Sequence, residues 1–356
     1  MNLGRMSSKK SGSSSVEKPL SLEEQQAKIN EVRKLLGPLN EALPIFCSDT
    51  LISRYLRARN WNTKKASKIL KETLKWRLEH KPEKIKWEDV AQEAETGKIY
   101  RANYLDKHGR TVLVMRPGFQ NTSSSKGQIK YLVYCIENAI FNLGPDQEQM
   151  VWLVDFQGWN PSSISVKVTR ETAHVLQNYY PERLGLGILY NPPKIFESFW
   201  KIVKPFLEPK TYKKARFVYS DNMDSQKIME DLFNLDKLES TFGGRSSIGF
   251  DYKEYGDRMK GDDERKMSSS LILESSTVES VIQLSEPLVL DPSSDASDEA
   301  SASSDLPSPN SGVVDYSSDG KIQPQLSCKE IAKVAGADAQ DMSQLTESAK
   351  DLQAIG

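Results

Sequence analysis

Cysteine and histidine are both scarce in this sequence. Each occurs three times among 356 residues, and the six positions are scattered along the chain. A disulfide framework needs an even set of cysteines, and a zinc site needs closely spaced Cys or His ligands. The sequence therefore predicts neither kind of site, and we expect a reducing compartment.

Long apolar runs are also missing. No segment approaches the roughly 18 uncharged apolar residues that a membrane-spanning helix requires. Residues 1–19 are polar and rich in serine and lysine, without the apolar centre of a signal peptide. We interpret them as a disordered leader and predict a soluble, cytoplasmic protein that associates with membranes only peripherally.

Motifs for catalysis are absent as well. Gly185 and Gly187 precede a predicted strand instead of following one, and no third glycine completes a dinucleotide fingerprint. No GxxxxGK[ST] loop occurs, and Gly244 and Gly249 have the wrong spacing for a nucleophile elbow. The sequence therefore predicts a protein that is not an enzyme, with no catalytic residues and no cofactor.

The charge is distributed unevenly, although the net charge is only −1. Residues 261–356 contain 18 acidic and 6 basic residues, whereas residues 1–260 contain 31 acidic and 42 basic ones. The acidic segment is rich in Ser and Asp and poor in apolar residues, so we predict a disordered tail over 261–356. The basic remainder favours an anionic partner, either a membrane surface or a nucleic acid.

Between the leader and the tail the sequence changes its periodicity once. Residues 20–90 show helical spacing, with Ser48 and Asn62 as candidate N-caps. After Gly97 short apolar strands alternate with helices, which indicates βαβ crossovers. We therefore predict an α/β fold, in which a small helical N-terminal lobe precedes a mostly parallel mixed sheet flanked by helices over residues 91–256. The strands are predicted at 98–104, 111–115, 150–156, 186–190 and 215–220, and the helices at 126–141, 163–179 and 226–232.

The segment 194–207 is strongly amphipathic. At 100° per residue its apolar side chains occupy an arc of about 160°. They are Ile195, Phe196, Phe199, Trp200, Ile202, Val203, Phe206 and Leu207. Two interpretations remain open. The helix covers the sheet, or it also lays its aromatic face on a bilayer while neighbouring lysines meet anionic lipid.

Two groups of basic residues stand out. One is Arg54, Arg57 and Arg59, and the other is Lys210, Lys213, Lys214 and Arg216. Each group is either a solvated face or part of a phosphate site formed by both. Since no nucleic-acid-binding module or basic and aromatic stripe accompanies them, we expect no nucleic acid as a partner.

Several strings in a fixed order resemble those of the CRAL-TRIO family. They are LRAR at 56–59, WR at 76–77, DxxGR at 106–110, DxxG at 155–158, YYPER at 179–183, NPP at 191–193, KPFLxPxTxxK at 204–214 and FGG at 242–244. The match covers residues 20–250 and is similar to the secretory-type phosphatidylinositol transfer branch of the family.

The resemblance implies a sheet that floors an apolar lipid pocket, closed by a gate helix. The gate corresponds to the amphipathic segment, with Ile195, Phe196, Phe199, Trp200, Val203 and Phe206 as its gate and membrane-contact residues. Carried over position by position, the phosphatidylinositol headgroup site consists of Arg59, Asp106, Glu182 and Lys214. Two cations for a phosphate and two carboxylates for inositol hydroxyls suit that headgroup.

One position departs from the family. Members that also carry phosphatidylcholine have a Ser-x-Thr pair where this chain has Met150 and Trp152. A thioether and an indole supply no hydroxyl to a phosphate, and they narrow that part of the pocket. We therefore do not expect phosphatidylcholine exchange.

Taken together, the residues and the resemblance predict a monomeric phospholipid-binding and transfer protein. It extracts phosphatidylinositol from membranes, docks transiently on anionic surfaces, and presents its cargo to a partner such as a lipid kinase. Two alternatives remain: another apolar ligand such as a sterol or a tocopherol-like molecule in the same fold, and an adaptor in a small-GTPase pathway.

Overall fold

A computed structural model describes residues 19–160 and 165–283, with side chains as far as residue 269. The predicted leader, apart from its last residue, and the tail beyond residue 283 lie outside the described residues. The N-terminal lobe consists of four helices. They are α1 (Leu22–Leu36), α2 (Pro38–Ala42), α3 (Asp49–Ala58) and α4 (Thr63–His80).

Side-chain caps start three of these helices. The hydroxyl of Ser21 accepts from the backbone N–H of Glu24, whose carboxylate accepts from Ser21 in return, so α1 begins with a capping box. Ser48 and Asn62 cap α3 and α4 as predicted. The apolar sides of α1, α3 and α4 then bury one compact core against each other.

The second part of the chain is built on a five-stranded sheet. Its strands are β1 (Ile99–Leu105), β2 (Thr111–Met115), β3 (Met150–Asp155), β4 (Leu184–Tyr190) and β5 (Ala215–Val218). The spatial order is β1-β2-β3-β4-β5; β1 pairs antiparallel with β2, and every other pairing is parallel. The α/β fold with a mostly parallel mixed sheet is therefore confirmed.

Helices cover both faces of this sheet. They are α5 (Ala91–Ala94), α6 (Ser125–Phe141), α7 (Val166–His174), α8 (Phe196–Val203), α9 (Pro209–Tyr212), α10 (Met223–Leu232) and α11 (Tyr252–Gln283). We predicted one helix over 163–179, but its last five residues, Val175–Tyr179, form a π-helical turn and its first two lie outside the described residues. No helix within the described ranges is long and apolar enough to cross a bilayer.

The predicted start of the tail differs from the structure. We placed the start of a disordered tail at Gly261, yet α11 continues to Gln283. Asp262 accepts from Arg101 at 2.7 Å and from Asn138 at 2.9 Å, while Asp263 accepts from the backbone N–H of Trp87 at 2.7 Å. The boundary was wrong because these acidic residues balance buried donors of the sheet domain.

The two lobes are joined by polar contacts at their interface. The hydroxyl of Tyr55 on α3 donates to the backbone carbonyl of Tyr179 at 3.2 Å, and Thr73 on α4 donates to that of Asn178 at 3.0 Å. Arg77 on α4 also pairs with Glu137 on α6. The lobe is thus fixed against the π-helical turn that precedes the YYPER string.

Candidate functional site

An apolar cavity of about 330 Å³ lies between the sheet and helices α7 and α8. Trp152 of β3 and Leu189 of β4 contribute to its floor, and Leu176 belongs to the wall that follows α7. Its volume is at the lower end of the range for small-ligand pockets. Since its walls present few polar groups, it suits a hydrocarbon ligand.

Helix α8 closes one side of the cavity with the residues predicted for the gate. Phe196, Phe199, Trp200 and Val203 all line the cavity. Phe196 stacks edge-on against Phe156, with 4.4 Å between the ring centroids. This contact of α8 is aromatic, so a movement of the helix would separate the two rings without breaking a hydrogen bond between them.

The two outer gate residues have different surroundings. Ile195 packs on the same aromatic cluster as Phe196. Phe206 lies in the 3-10 turn after α8, where the guanidinium of Arg170 sits 4.5 Å from its ring and its carbonyl accepts from Gln177 at 2.9 Å. The C-terminal end of α8 is therefore tied to α7 and the turn after it by one cation–π contact and one hydrogen bond.

A small polar cleft of about 30 Å³ adjoins the cavity. It is lined by three of the four predicted headgroup residues, Arg59, Glu182 and Lys214. Lys214 Nζ lies 3.3 Å from a carboxylate oxygen of Glu182 and donates to the carbonyl of Leu184 at 2.7 Å. The structure therefore brings together, in one cleft, residues that are 123 and 32 positions apart in the chain.

Sequence reasoning missed the groups that hold Arg59. Its guanidinium pairs with Glu208 at 3.2 Å and donates to the side-chain oxygen of Asn178 at 3.1 Å. Glu208 lies within the KPFLxPxT string and Asn178 directly before YYPER, so adjacency to a motif was the only signal available.

Backbone geometry directs Glu182 into the cleft. Its φ is +59°, in the left-handed region that residues with a Cβ rarely occupy. Pro181 before it is buried and lines the cleft as well. Strain of this kind is typical of sites where a side chain must point in one direction.

Asp106, the fourth predicted headgroup residue, does not line this cleft. Its buried carboxylate accepts from the backbone N–H groups of His108 at 3.0 Å and Arg110 at 2.8 Å, and from Arg110 Nε at 2.7 Å. Arg110 in turn lies against Gly185, because a Cβ there would be 2.9 Å from its guanidinium. The structure therefore shows Asp106 holding the β1–β2 turn and Arg110.

The two predicted basic groups converge only in part. Lys210 and Lys214 line the cleft with Arg59, but Arg54 and Arg57 both pair with Glu148, at 2.7 and 2.5 Å. One cluster in sequence is thus divided between two places in the fold.

Of the two residues that depart from the family pattern, Met150 and Trp152, only Trp152 lines the cavity. Trp152 contributes its indole to the floor, whereas Met150 is fully buried in the core and does not line the cavity.

A buried lysine, Lys98, lines another part of the cavity wall and is only 4% exposed. Burial lowers the pKa of Lys98, and its ion pair with Glu93 partly offsets this effect.

Three residues, Leu176, Leu184 and Thr211, line both the cavity and the cleft. The two spaces are therefore neighbours that share a wall. The cavity is apolar, whereas the cleft beside it is lined by three cations and two carboxylates. The arrangement places a space that suits a hydrocarbon beside a space that suits a polar anionic group.

Comparison with known proteins shows the family to which the chain belongs. The family model for the CRAL/TRIO domain matches residues 94–244, and that for the CRAL/TRIO N-terminal domain matches residues 25–72. The chain belongs to the CRAL/TRIO family. The resemblance noted from its motifs is confirmed, including the branch, since its relatives include phosphatidylinositol transfer proteins.

Three curated relatives show the extent of the similarity. The CRAL-TRIO domain-containing protein C23B6.04c of Schizosaccharomyces pombe is 33% identical over 205 residues, which are 57% of this chain and 19% of that protein. The phosphatidylinositol transfer protein PDR17 of Saccharomyces cerevisiae is 35% identical over 193 residues, with 51% and 55% covered. The SEC14 cytosolic factor of Kluyveromyces lactis is 31% identical over 246 residues, with 63% and 79% covered.

The first two of these relatives are thus matched over only 19% and 55% of their length. Among solved structures, the crystal structure of Sfh5 superposes with a TM-score of 0.54 at 15% identity, covering 72% of this chain and 99% of that one. At this identity the superposition supports the fold alone.

Proposed function

We propose that this protein binds phosphatidylinositol, extracts it from membranes and transfers or presents it, without making or breaking a covalent bond. The observation that carries the proposal is the shared wall between the apolar cavity and the polar cleft. A diacyl lipid laid across that wall buries its chains in the cavity and leaves its head in the cleft.

The residues of the cleft fit an inositol phosphodiester. Arg59 and Lys214 supply charge-assisted donors for the phosphate, and Glu182 accepts from ring hydroxyls. All three already have partners, so the lipid exchanges the Lys214–Glu182 and Arg59–Glu208 contacts for its own. Phosphatidylcholine lacks the hydroxyls that Glu182 needs, and Trp152 offers no hydroxyl to its phosphate.

The cavity supplies most of the binding free energy. Each CH₂ group transferred from water contributes about 0.8 kcal/mol. A cavity of about 330 Å³ accommodates a drug-sized ligand, so a lipid with two long chains enters only when α8 moves outward. Opening separates aromatic contacts, and the same aromatic face then meets the bilayer.

Charge on the outer side of α8 favours an anionic membrane as the place of exchange. Lys194, Lys201 and Lys204 are all exposed there. Each lysine near an anionic surface contributes about 1 kcal/mol of attraction within a Debye length. The protein then acts as a monomeric cytoplasmic carrier that docks transiently, and a lipid kinase is a suitable recipient of the presented headgroup.

The experiment is native mass spectrometry after incubation with vesicles of phosphatidylcholine and phosphatidylinositol. Lys214→Ala removes a cation of the cleft, whereas Lys213→Ala removes an exposed lysine next to it. We expect a phosphatidylinositol adduct on the wild type and on Lys213→Ala, and its loss from Lys214→Ala.

Other results lead to different conclusions. An adduct that Lys214→Ala retains would refute the assignment of the headgroup site. A different apolar adduct, insensitive to both substitutions, would favour another cargo in the same cavity. Lipid-free wild-type protein would favour the adaptor hypothesis.

A further inference from the structure

Another cavity, of about 90 Å³, lies at the interface of the two lobes, and apolar groups form the larger part of its wall. Its walls come from α3, α4 and α6 and from the segment 179–183. The space is several times what one water molecule needs. Three arginines line it, Arg54, Arg77 and Arg183, and Glu137 is the one carboxylate among its described lining residues. We call it the arginine cavity.

The carboxylates at this interface do not balance the arginines. Arg54 pairs with Glu148, which also serves Arg57, and Arg77 pairs with Glu137. These two arginines are more than nine-tenths buried, at 8% and 7% exposure. Arg77 also pairs with Glu83 at 3.4 Å, whereas Glu148 is shared with Arg57 and Glu137 also accepts from Tyr180. Four arginines, with Arg183 included, thus share three carboxylates at this interface.

Arg183 has no carboxylate partner of its own. Its guanidinium donates to the backbone carbonyl of Glu148 at 2.9 Å, and within the described residues it forms no ion pair. Burial and the neighbouring charge of Arg54 lower the pKa of Arg183 to about 10, although the charges of Glu148 and Glu137 partly offset the shift. A half-buried guanidinium that has a like charge beside it and no ion pair of its own is a favourable place for an anion.

We propose that the arginine cavity binds a small tetrahedral oxyanion of the phosphate class, held chiefly by the free donors of Arg183 and supported by Arg54. A planar guanidinium matches two oxygens of such an anion with parallel hydrogen bonds. The size of the cavity suits a small soluble anion, because the packed helices leave no room for an acyl chain. The site is separate from the headgroup cleft and is not required by the lipid-binding function.

The same short segment forms a wall of both sites. Tyr180 and Pro181 line the headgroup cleft as well as the arginine cavity. The left-handed backbone at Glu182 sends successive side chains in different directions, Glu182 into the cleft and Arg183 into the cavity. An anion on Arg183 therefore stabilises the turn that positions Glu182, a consequence that rests on the proposed lipid function.

The direct test is isothermal titration calorimetry of the full chain with inorganic phosphate, at constant ionic strength set with chloride. Arg183→Gln removes the unpaired cation. Arg216→Gln is the matched control, since Arg216 is exposed and donates only to the nearby carbonyls of Lys213 and Ala215. We expect saturable binding by the wild type and the control, and at least a roughly tenfold weaker affinity in Arg183→Gln.

Absence of saturable binding by the wild type would overturn the proposal, and so would equal affinity in Arg183→Gln. If Arg183→Gln does not fold, Arg183→Lys replaces it, because lysine keeps the charge but loses the planar fork. We then expect a several-fold loss of affinity, and unchanged affinity would likewise overturn the site.

The coupling has its own readout, the rate of phosphatidylinositol transfer with and without phosphate. A phosphate-dependent rate in the wild type that is lost in Arg183→Gln supports the coupling. If calorimetry shows phosphate binding but the rate of transfer does not depend on phosphate, the coupling is refuted and the anion site is retained. If the wild type binds phosphate but no phosphatidylinositol, it is the proposed lipid function that fails.

Discussion

Replacing Asp262 by alanine will destabilise the whole sheet domain, although the residue lies in a stretch whose composition resembles a solvated tail. The side chains of Asp262 and Arg101 are 3% and 11% exposed, and their charged groups are 2.7 Å apart. Removal of one partner of a buried ion pair costs about 3–5 kcal/mol, because the other charge stays buried and unpaired.

Three further donors bind the same carboxylate, and one of them is the guanidinium of Arg265. Asn138 and Asn142 donate to Asp262 at 2.9 and 3.0 Å. Their loss adds to the penalty without being strictly additive, so we expect a decrease of about 4 kcal/mol in the free energy of unfolding. For a domain of this size that corresponds to a fall of roughly 8–16 °C in Tm.

The assay is urea and thermal denaturation followed by circular dichroism, with Glu264→Ala as the control. Glu264 is exposed on the same helix, two residues along, so its replacement is expected to change the free energy of unfolding by less than about 0.5 kcal/mol. If Asp262→Ala and Glu264→Ala have the same midpoint, the ion pair does not stabilise the fold and our account of α11 is wrong.

The pH dependence gives a second check on Asp262. Burial raises the pKa of this carboxyl, but hydrogen bonds from Arg265 and Asn138 and the charge of Arg101 outweigh it, and the net shift is downward. A carboxyl with a lowered folded-state pKa stabilises the protein above its ordinary pKa, and the effect is lost as the pH falls through the folded value. The difference in unfolding free energy between the wild type and Asp262→Ala should therefore be complete at neutral pH and should disappear only in strong acid.

Three more predictions follow from other parts of the fold. Phe196→Ala removes a 5%-exposed ring at the start of α8, and it should lower the unfolding free energy by about 3 kcal/mol and speed lipid exchange. The control Ser198→Ala should do neither. Equal exchange rates of the two variants in a fluorescent-lipid transfer assay would contradict a gating role. Glu182→Asn and Glu182→Ala should both lose the binding of phosphatidylinositol. In urea denaturation the asparagine variant should be more stable than the alanine variant by about 1 kcal/mol, because asparagine tolerates a φ of +59° better. Equal stability of the two variants would show that the turn is unstrained. Burial raises the pKa of Glu239, although the hydroxyls of Tyr104 and Tyr100 donate to it. Its protonation in the folded state stabilises the protein as the pH falls. The unfolding free energy of Glu239→Gln relative to the wild type should therefore decrease as the pH is lowered from neutrality towards the ordinary pKa of glutamate, and parallel profiles would refute the shift.

Local patterns were sufficient to predict most of the fold. Side-chain caps such as Ser48 and Asn62, and the alternation of strands and helices after Gly97, act within a few residues of one another, and the structure has them in place. The boundary at Gly261 was wrong for the opposite reason. Asp262 lies 161 positions from its partner Arg101, and no local pattern records a pairing over that distance.

The candidate site, too, could be predicted from the sequence only in part. The cavity-lining face of α8 could be predicted because its apolar residues repeat within one helix, and the candidates Arg59, Glu182 and Lys214, which share one cleft, because they lie in dense strings of motif residues. Asp106 lies in such a string as well, yet the structure shows its carboxylate fully engaged by the β1–β2 turn and by Arg110. A motif records that a residue belongs to the family pattern, and it does not distinguish contact with a ligand from support of the fold.

The pair Glu182 and Arg183 shows what only the fold can add. In the sequence they are adjacent opposite charges, and an ion pair of Glu182 with Arg183 or with a lysine is the alternative to a binding role. The left-handed φ of Glu182 separates them, so that Glu182 pairs with Lys214 in the cleft and Arg183 lies beside Arg54 in the arginine cavity. Each charge is therefore left to different neighbours, with Glu182 in the cleft and Arg183 in the arginine cavity. The proposed lipid site and the proposed anion site thus meet at a single peptide turn.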